Sequence, residues 1–532
     1  MGCFFVCRDV VAKKMSFTQN DKKSTNLGKT DMSFTQNDKK NIDLGKTQEK
    51  ILFLQKNINM ENIIGRDREI ALLEQYIQSD KAEFIALYGR RRVGKTYLIN
   101  SLFADKFAFS MTGVIDGEPS EQMEAFVESL EFYGYEINQT PASWMKAFAE
   151  LRKFLQPKVD ENAPIILFFD EIPSLDTQRS GFIRALGYFW NSWASLHDNI
   201  KLIVCGSATS WMIKNIIDAK GVLHNRITHE MCLRQFTLGE TEKYLTAKGF
   251  HWNRLSILQC YMTFGGVAYY LSLLNPQESL VQNIDRLFFN ENAELRREYD
   301  RLFKTLFNST EPYKKIVKLL ADNKKGLTRS EISSQVSING STLTTMLENL
   351  QNCEFIRLYY VRDKKVKSTG GIYRLTDFYI MFYLNFVPKA KTESNFWSNH
   401  INTPEVNNWF GLTYESICLT HIRQIKEVLH LDSISTKCYS WRSKSSMPGA
   451  QIDLIIDRAD DMINLCEIKY SKDEYKITQE DDRLLRNRMT AFQNETGTRS
   501  GIYLTMITTF GFAPSIYNET VPVKLGMDCL FG

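Results

Sequence analysis

Three stretches of the sequence carry residue types whose spacing could do chemistry. The first is "GRRRVGKT", Gly89 to Thr96, where Lys95 and Thr96 directly follow the second of two glycines. Glycines at such positions let backbone N–H groups curl around an anion. A lysine can then reach the β- and γ-phosphates of a nucleotide, and a hydroxyl can ligate Mg²⁺. Gly89, Arg90, Arg91, Arg92, Val93, Gly94, Lys95 and Thr96 are therefore the expected phosphate-binding residues, with ATP and Mg²⁺ as cofactors. A loop of this kind needs an acidic partner, and "IILFFDE" supplies one. Asp170 would hold the metal through water, and Glu171 would orient or deprotonate the attacking water. In "KLIVCGSATS" an apolar run ends in hydroxyls. There Ser207 either senses the γ-phosphate or caps a helix. Arg226 in "HNRITHEM" is either an arginine finger for the nucleotide of a neighbouring copy, which implies a homo-oligomer, or a surface arginine.

The second stretch is the pair "AQIDLIID" and "INLCEIKY". Glu467 and Lys469 are two residues apart, so on a strand they share a face, and Asp453 on the preceding strand can lie close to it. Asp453 and Glu467 would then hold Mg²⁺ and place water against a phosphodiester, with Lys469 stabilising the developing charge. Equally, opposite charges on a solvated strand face need no catalysis. The third stretch is basic: Arg357, Arg362, Lys364, Lys365 and Lys367 follow the helix-like "STLTTMLENLQNC", which itself has no lysine or arginine. These residues either meet the phosphates or minor groove of DNA or form a solvated hairpin on a spacer.

The elements that must position these residues follow from the hydrophobic pattern. "NIIGRDREIALLEQYI" has the apolar spacing of an amphipathic helix. "EFIALYG", "IILFF" and "KLIVCGS" read as buried strands, and "KTYLINSLF" as the helix after the first. Strands alternating with helices imply an α/β fold with a parallel, doubly wound sheet over 60–235. A helical lid is expected over 236–300. Residues 301–390 read as three helices and a β-wing, with Ser341 to Cys353 as the recognition helix. Pro388 and the polar residues after it mark a boundary. The remainder, 391–532, mixes a helix, paired strands and the late strand "SGIYLTM".

Composition narrows the class. The chain has 532 residues, of which 43% are hydrophobic and 24% charged, and a net charge of +4, so several cores fit and the basic bias is weak. Its cysteines show no zinc spacing and no disulfide framework, and no apolar run is long enough to cross a bilayer. The expectation is a cytoplasmic protein without a membrane partner. Residues 1–59 repeat "MSFTQNDKK" and "LGKT", a polar duplication expected to be disordered. Folded sequence is expected to begin near Met60, itself a candidate start.

"NIIGRDREI", "LYGRRRVGKT", "FFDE", "CGSATS" and "FGGVAYYL" together resemble the archaeal-type ATPases, on the AAA+/STAND side of the P-loop fold. The resemblance covers roughly 60–530. It implies a P-loop NTPase sheet with a helical lid, a winged helix and a C-terminal α/β restriction-endonuclease-like domain of the PD-(D/E)XK superfamily. It further implies that Arg66 approaches the nucleotide, and that Glu415 in "WFGLTYESICLTHI" adds a carboxylate to Asp453, Glu467 and Lys469. One departure is Ala268, where many relatives have proline. The function expected is an ATPase whose cycle controls a DNA-directed nuclease-like domain. The alternative is an ATP-gated switch, binding DNA or protein, with an inactive nuclease fold.

Overall fold

The computed structural model describes residues 63–532 except 162, 308, 339, 361–370, 392 and 444–449. The repeated lead and Arg362, Lys364, Lys365 and Lys367 lie outside the described residues.

Strands β1 (Glu83–Tyr88), β2 (Phe107–Thr112), β3 (Ile165–Asp170), β4 (Ile200–Gly206) and β5 (His229–Cys232) form one parallel sheet in the order β2-β3-β4-β1-β5. β3 and β4 are buried along their whole length and β1 along nearly all of it, which is why they read as unbroken apolar runs. Helices Pro119–Phe132, Trp144–Leu155 and Phe182–Ser192 cover one face through Phe126, Phe148, Phe182 and Trp190. Helices Asp67–Ile77 and Lys95–Phe103 cover the other through Leu73, Leu98 and Leu102. Because β4 lies between β1 and β3, whatever follows β4 stands between the loop after β1 and the acidic residues after β3.

Beyond Phe236 the chain is helical. Leu238–Ala247 opens with a capping box in which Thr237 and Glu240 satisfy each other's backbone N–H groups. Arg254–Phe264 and several short helices follow. Helices Thr310–Asp322, Arg329–Val336 and Gly340–Asn352 come next, with an antiparallel sheet of β6 (Leu327–Thr328), β7 (Ile356–Tyr360) and β8 (Gly371–Leu375) in the order β6-β8-β7. Helix Phe378–Ala390 then runs through Pro388, where the sequence suggests a break. Proline deletes one helical hydrogen bond here, but burial of Phe378, Ile380, Phe382 and Phe386 holds the segment.

Helix Pro404–Thr420 precedes a mixed sheet of β9 (Thr436–Arg442), β10 (Gln451–Arg458), β11 (Met462–Lys469), β12 (Gly501–Thr508) and β13 (Val523–Leu525), ordered β13-β12-β11-β10-β9. β9, β10 and β11 are antiparallel neighbours, whereas β12 and β13 join in parallel after the crossover helix Gln479–Thr496. One apolar core runs from Phe236 to Phe531 and takes in one face of the C-terminal sheet through Leu454, Ile456, Cys466 and Ile507. Phe382, for instance, meets Trp397 at 5.0 Å and Trp409 at 5.5 Å, ring centre to ring centre. Helix Gln479–Thr496 packs instead through Leu485 and Phe492 into a second core with Trp441, Ile455 and Leu465. The first of these cores crosses positions 300/301 and 390/391, whereas the second lies wholly after 391. No helix of the described residues is long and apolar enough to cross a membrane.

Candidate functional site

The loop from Gly89 to Gly94 joins β1 to helix Lys95–Phe103. Its shape requires both glycines. Gly89 has φ +141°, and a Cβ there would fall 2.3 Å from the Leu233 carbonyl oxygen; Gly94 has φ +96°. Arg92 is also left-handed, at φ 72°. Val93 sits in the core beneath the loop and anchors it. Gly94, at the helix N-cap, has no side chain to occupy the first N–H groups, so these are available to an anion.

Lys95 is buried, and its ammonium donates to the carbonyls of Gly89 and Arg90, both at 2.9 Å. The Thr96 hydroxyl donates to Asp170 Oδ2 at 2.6 Å, and the Glu171 N–H donates to Asp170 Oδ1 at 2.9 Å. Glu171 is left-handed, φ 47°, directly after β3. Its Oε2 accepts from the Ser207 hydroxyl at 3.0 Å and from the Ser207 N–H at 3.3 Å. The cap position of helix Thr209–Met212 is Ala208, so Ser207 binds Glu171 rather than capping that helix. Thr96 and Asp170 are hard oxygen donors already side by side, a set that fits Mg²⁺.

The loop arginines behave differently from one another. Arg90 is 1% exposed and forms an ion pair with Asp377, which is wholly buried at the start of helix Phe378–Ala390. The Arg90 guanidinium also lies near the rings of Phe355 and Tyr270, at 5.4 and 5.9 Å. Arg92 pairs with buried Glu298 through two contacts, one of them Nη2 to Oε2 at 2.8 Å, and lies 4.0 Å from the Tyr269 ring centre. These side chains therefore reach away from the phosphate position, leaving only their backbone to line the loop. Arg91 forms no ion pair among the described residues. Burial, with Arg92 next to it, holds its guanidinium pKa down. Arg66 is buried and donates to the Val93 carbonyl at 3.3 Å, so it braces the loop. Ala268 lies near Gly94, and the Tyr269 N–H donates to the Arg92 carbonyl at 3.2 Å. Arg226 is exposed in the turn before β5, whose first paired residue, His229, is opposite Ile85 near the start of β1. That is the sheet end opposite this chain's own loop.

The second cluster lies between helix Pro404–Thr420, β8, β10, β11 and helix Gln479–Thr496. Leu454 faces Cys466, so the next facing positions across β10 and β11 are Asp453 and Glu467. Lys469 meets Glu467 at 2.9 Å, and Arg488 pairs with the other Glu467 oxygen. Glu415 joins the cluster, bound by Arg374 Nη1 at 2.8 Å, while Arg374 Nη2 lies 3.9 Å from Asp453. Asp453 also accepts from Gln451 at 2.6 Å. Burial first, and Asp453 second, push the Glu415 carboxyl up to about 7. Asp453, Glu467, Lys469 and Glu415 are thus together, but each carboxylate has a cation beside it. Among the described residues no group of three acidic, histidine or cysteine side chains is arranged to hold a metal ion. In this arrangement the donors do not fit one.

Arg374, Asp377, Glu298 and Arg488 were not legible as site residues, because each acts on a partner distant in sequence and none belongs to a local pattern. The same applies to helix Gly340–Asn352, whose Asn352 amide donates to the Ser210 hydroxyl at 3.2 Å, just beyond Ser207.

Comparison with known proteins finds similarity over the region that contains this loop. Residues 63–274 match a family described as an ATPase domain predominantly from Archaea. An uncharacterized protein of Methanocaldococcus jannaschii is 25% identical over 399 residues, 74% of this chain and 83% of that protein. An uncharacterized ATP-binding protein of the same organism is 46% identical over 43 residues, 8% of this chain and 73% of that protein. Among solved structures, a Walker-type ATPase of Pyrococcus abyssi is 18% identical, with a TM-score of 0.43, covering 61% of this chain and 96% of that one. The ORC2 protein of Aeropyrum pernix, in ADPNP and ADP complexes, is 14% identical with a TM-score of 0.37, covering 62% and 96%. Residues 63–274, which hold the loop, Asp170, Glu171 and Ser207, are thus similar to ATPase domains of archaeal type.

Proposed function

We propose that this chain is a Mg²⁺-dependent ATPase whose nucleotide state is passed to a DNA-directed, nuclease-like C-terminal region. The observation that carries the first half is the linked set Thr96–Asp170–Glu171–Ser207 beneath the Lys95 loop. The phosphates of ATP would rest on the loop N–H groups and the helix N-terminus, with Lys95 neutralising them. Thr96 and Asp170 would hold Mg²⁺, which when bound offsets the phosphate charge. Glu171, held by Ser207, is positioned to orient water at the γ-phosphate, and Arg91 is the loop arginine left to face it. Arg226 would serve only a neighbouring copy's nucleotide. Lys95→Ala should abolish nucleotide binding, and Glu171→Gln should keep binding while losing turnover. Equal hydrolysis in both variants and the parent would sink this half.

The three helices and β6–β8 support a winged helix over 301–390. Its third helix carries no lysine or arginine, and its end rests on Ser210, so contact with DNA falls to the hairpin. The strand pair and the neighbourhood of Glu415, Asp453, Glu467 and Lys469 support the nuclease-like reading. A second reading, a switch that binds DNA or protein without cutting, is favoured by one fact. Three carboxylates there are matched by Arg374, Lys469 and Arg488. Cleavage of supercoiled and linear DNA with Mg²⁺ or Mn²⁺ and ATP, beside Lys469→Ala, decides between them. Loss of cleavage in the variant supports the nuclease. Intact DNA under every condition supports the switch.

A further inference from the structure

The mismatch between the C-terminal carboxylates and a metal ion has a specific cause. Arg374 belongs to β8, outside the sheet that carries Asp453 and Glu467, and lies against both Glu415 and Asp453. Its guanidinium is not there by accident of a mobile side chain. Nε donates to the Lys325 carbonyl at 3.3 Å, and the Tyr359 ring centre lies 5.8 Å away. Gly326 leaves it room, since a Cβ at that position would fall 2.7 Å from Arg374 Cγ. Three residues further along, Asp377 is the buried partner of Arg90 in the phosphate loop. One short segment, Arg374 to Asp377, therefore touches both candidate sites.

We propose that Arg374 is an internal counter-cation that occupies, in charge, the place of a divalent ion at Glu415 and Asp453, and that the Arg90–Asp377 pair ties its position to the nucleotide loop. The proposal rests on the reading of these carboxylates as the nuclease-like site, but concerns metal access, not cleavage. A planar guanidinium and a divalent cation both satisfy a carboxylate pair, and they cannot share it. The acids then bind metal only when β8 is displaced from them, and the segment's other end supplies the displacement when the loop changes state.

The test is Mn²⁺ binding by the full chain, followed by electron paramagnetic resonance and calorimetry and counted as the ion lost on Asp453→Asn, which separates it from the Thr96–Asp170 site. Arg374→Gln should bind that ion at least tenfold tighter than the parent, and Arg374→Lys, which keeps the charge, should resemble the parent. A non-hydrolysable ATP analogue should raise the parent's affinity and leave Arg374→Gln unchanged. Binding in Arg374→Gln no tighter than in the parent would overturn the counter-cation. Tighter binding there, without a nucleotide response in the parent, would overturn the tie to the loop. If Arg374→Gln does not fold, Arg374→Met replaces it in the same comparison. Should the ion bind as expected while DNA stays intact, the inference stands and the nuclease reading fails.

Discussion

At the scale of single residues, His421 shows how much a side chain's surroundings decide. Its Nε2 accepts from the Leu238 N–H at 3.0 Å, and Nδ1 lies 2.9 Å from the Ile417 carbonyl. These partners assign the neutral tautomer with the proton on Nδ1. Burial pushes its pKa down to about 4. A depressed folded value means that the unfolded chain takes up a proton first. The stability contributed by neutral His421 is therefore complete above about pH 6.5 and lost as the pH falls towards 4, with a ceiling of about 3 kcal/mol. Chemical denaturation at pH 7.5 and pH 5 should show that loss, and His421→Gln, which can accept the same N–H, should flatten it. An unchanged slope in the variant would assign the pH dependence elsewhere. Gly89 makes the complementary case. Gly89→Ala meets the Leu233 carbonyl and an unfavourable φ together, so nucleotide affinity should fall sharply in a titration even though only a methyl is added.

At the scale of elements, the ion pairs of the phosphate loop join parts of the chain that sequence keeps far apart. Arg90 and Asp377 are both fully desolvated, and burial raises the Asp377 pKa against the opposing pull of Arg90. Removing one partner strands the other charge, which in general costs roughly 3–5 kcal/mol. Asp377→Ala should therefore lower denaturant stability by about that amount, and replacing both partners by apolar residues should recover much of it. The exposed pair Arg423–Glu427, one helical turn apart, is the contrast: Glu427→Ala should barely move the midpoint. Equal effects at the two sites would mean that Arg90 and Asp377 are better solvated than their burial implies.

At the scale of the whole molecule, the continuous core from Phe236 to Phe531 argues against a chain of separable modules. Tyr270, beside the phosphate loop, packs on Tyr379 at 4.8 Å, and Phe288 packs on Phe382 at 4.7 Å. A fragment of residues 63–300 keeps the parallel sheet but loses these partners. It should bind dyes that report exposed apolar surface and unfold without the sharp transition of the full chain. Cooperative, dye-free unfolding of the fragment would show that the shared core is dispensable.

The sequence by itself determined what is local. Unbroken apolar runs marked β1, β3 and β4, the glycine and lysine spacing marked the phosphate loop, and the acidic residues after "IILFF" marked its partner. The edge strand β2 escaped, because it is only partly buried and lacks such a run. Two-residue spacing likewise placed Glu467 and Lys469 on one face. Tertiary structure alone decided who neutralises whom. Arg90 faces Asp377, Arg92 faces Glu298, and Arg374 faces Glu415 and Asp453, across separations that no periodicity records. Ion pairing depends on distance and desolvation in space, whereas a sequence pattern reports only the repeat of a single element.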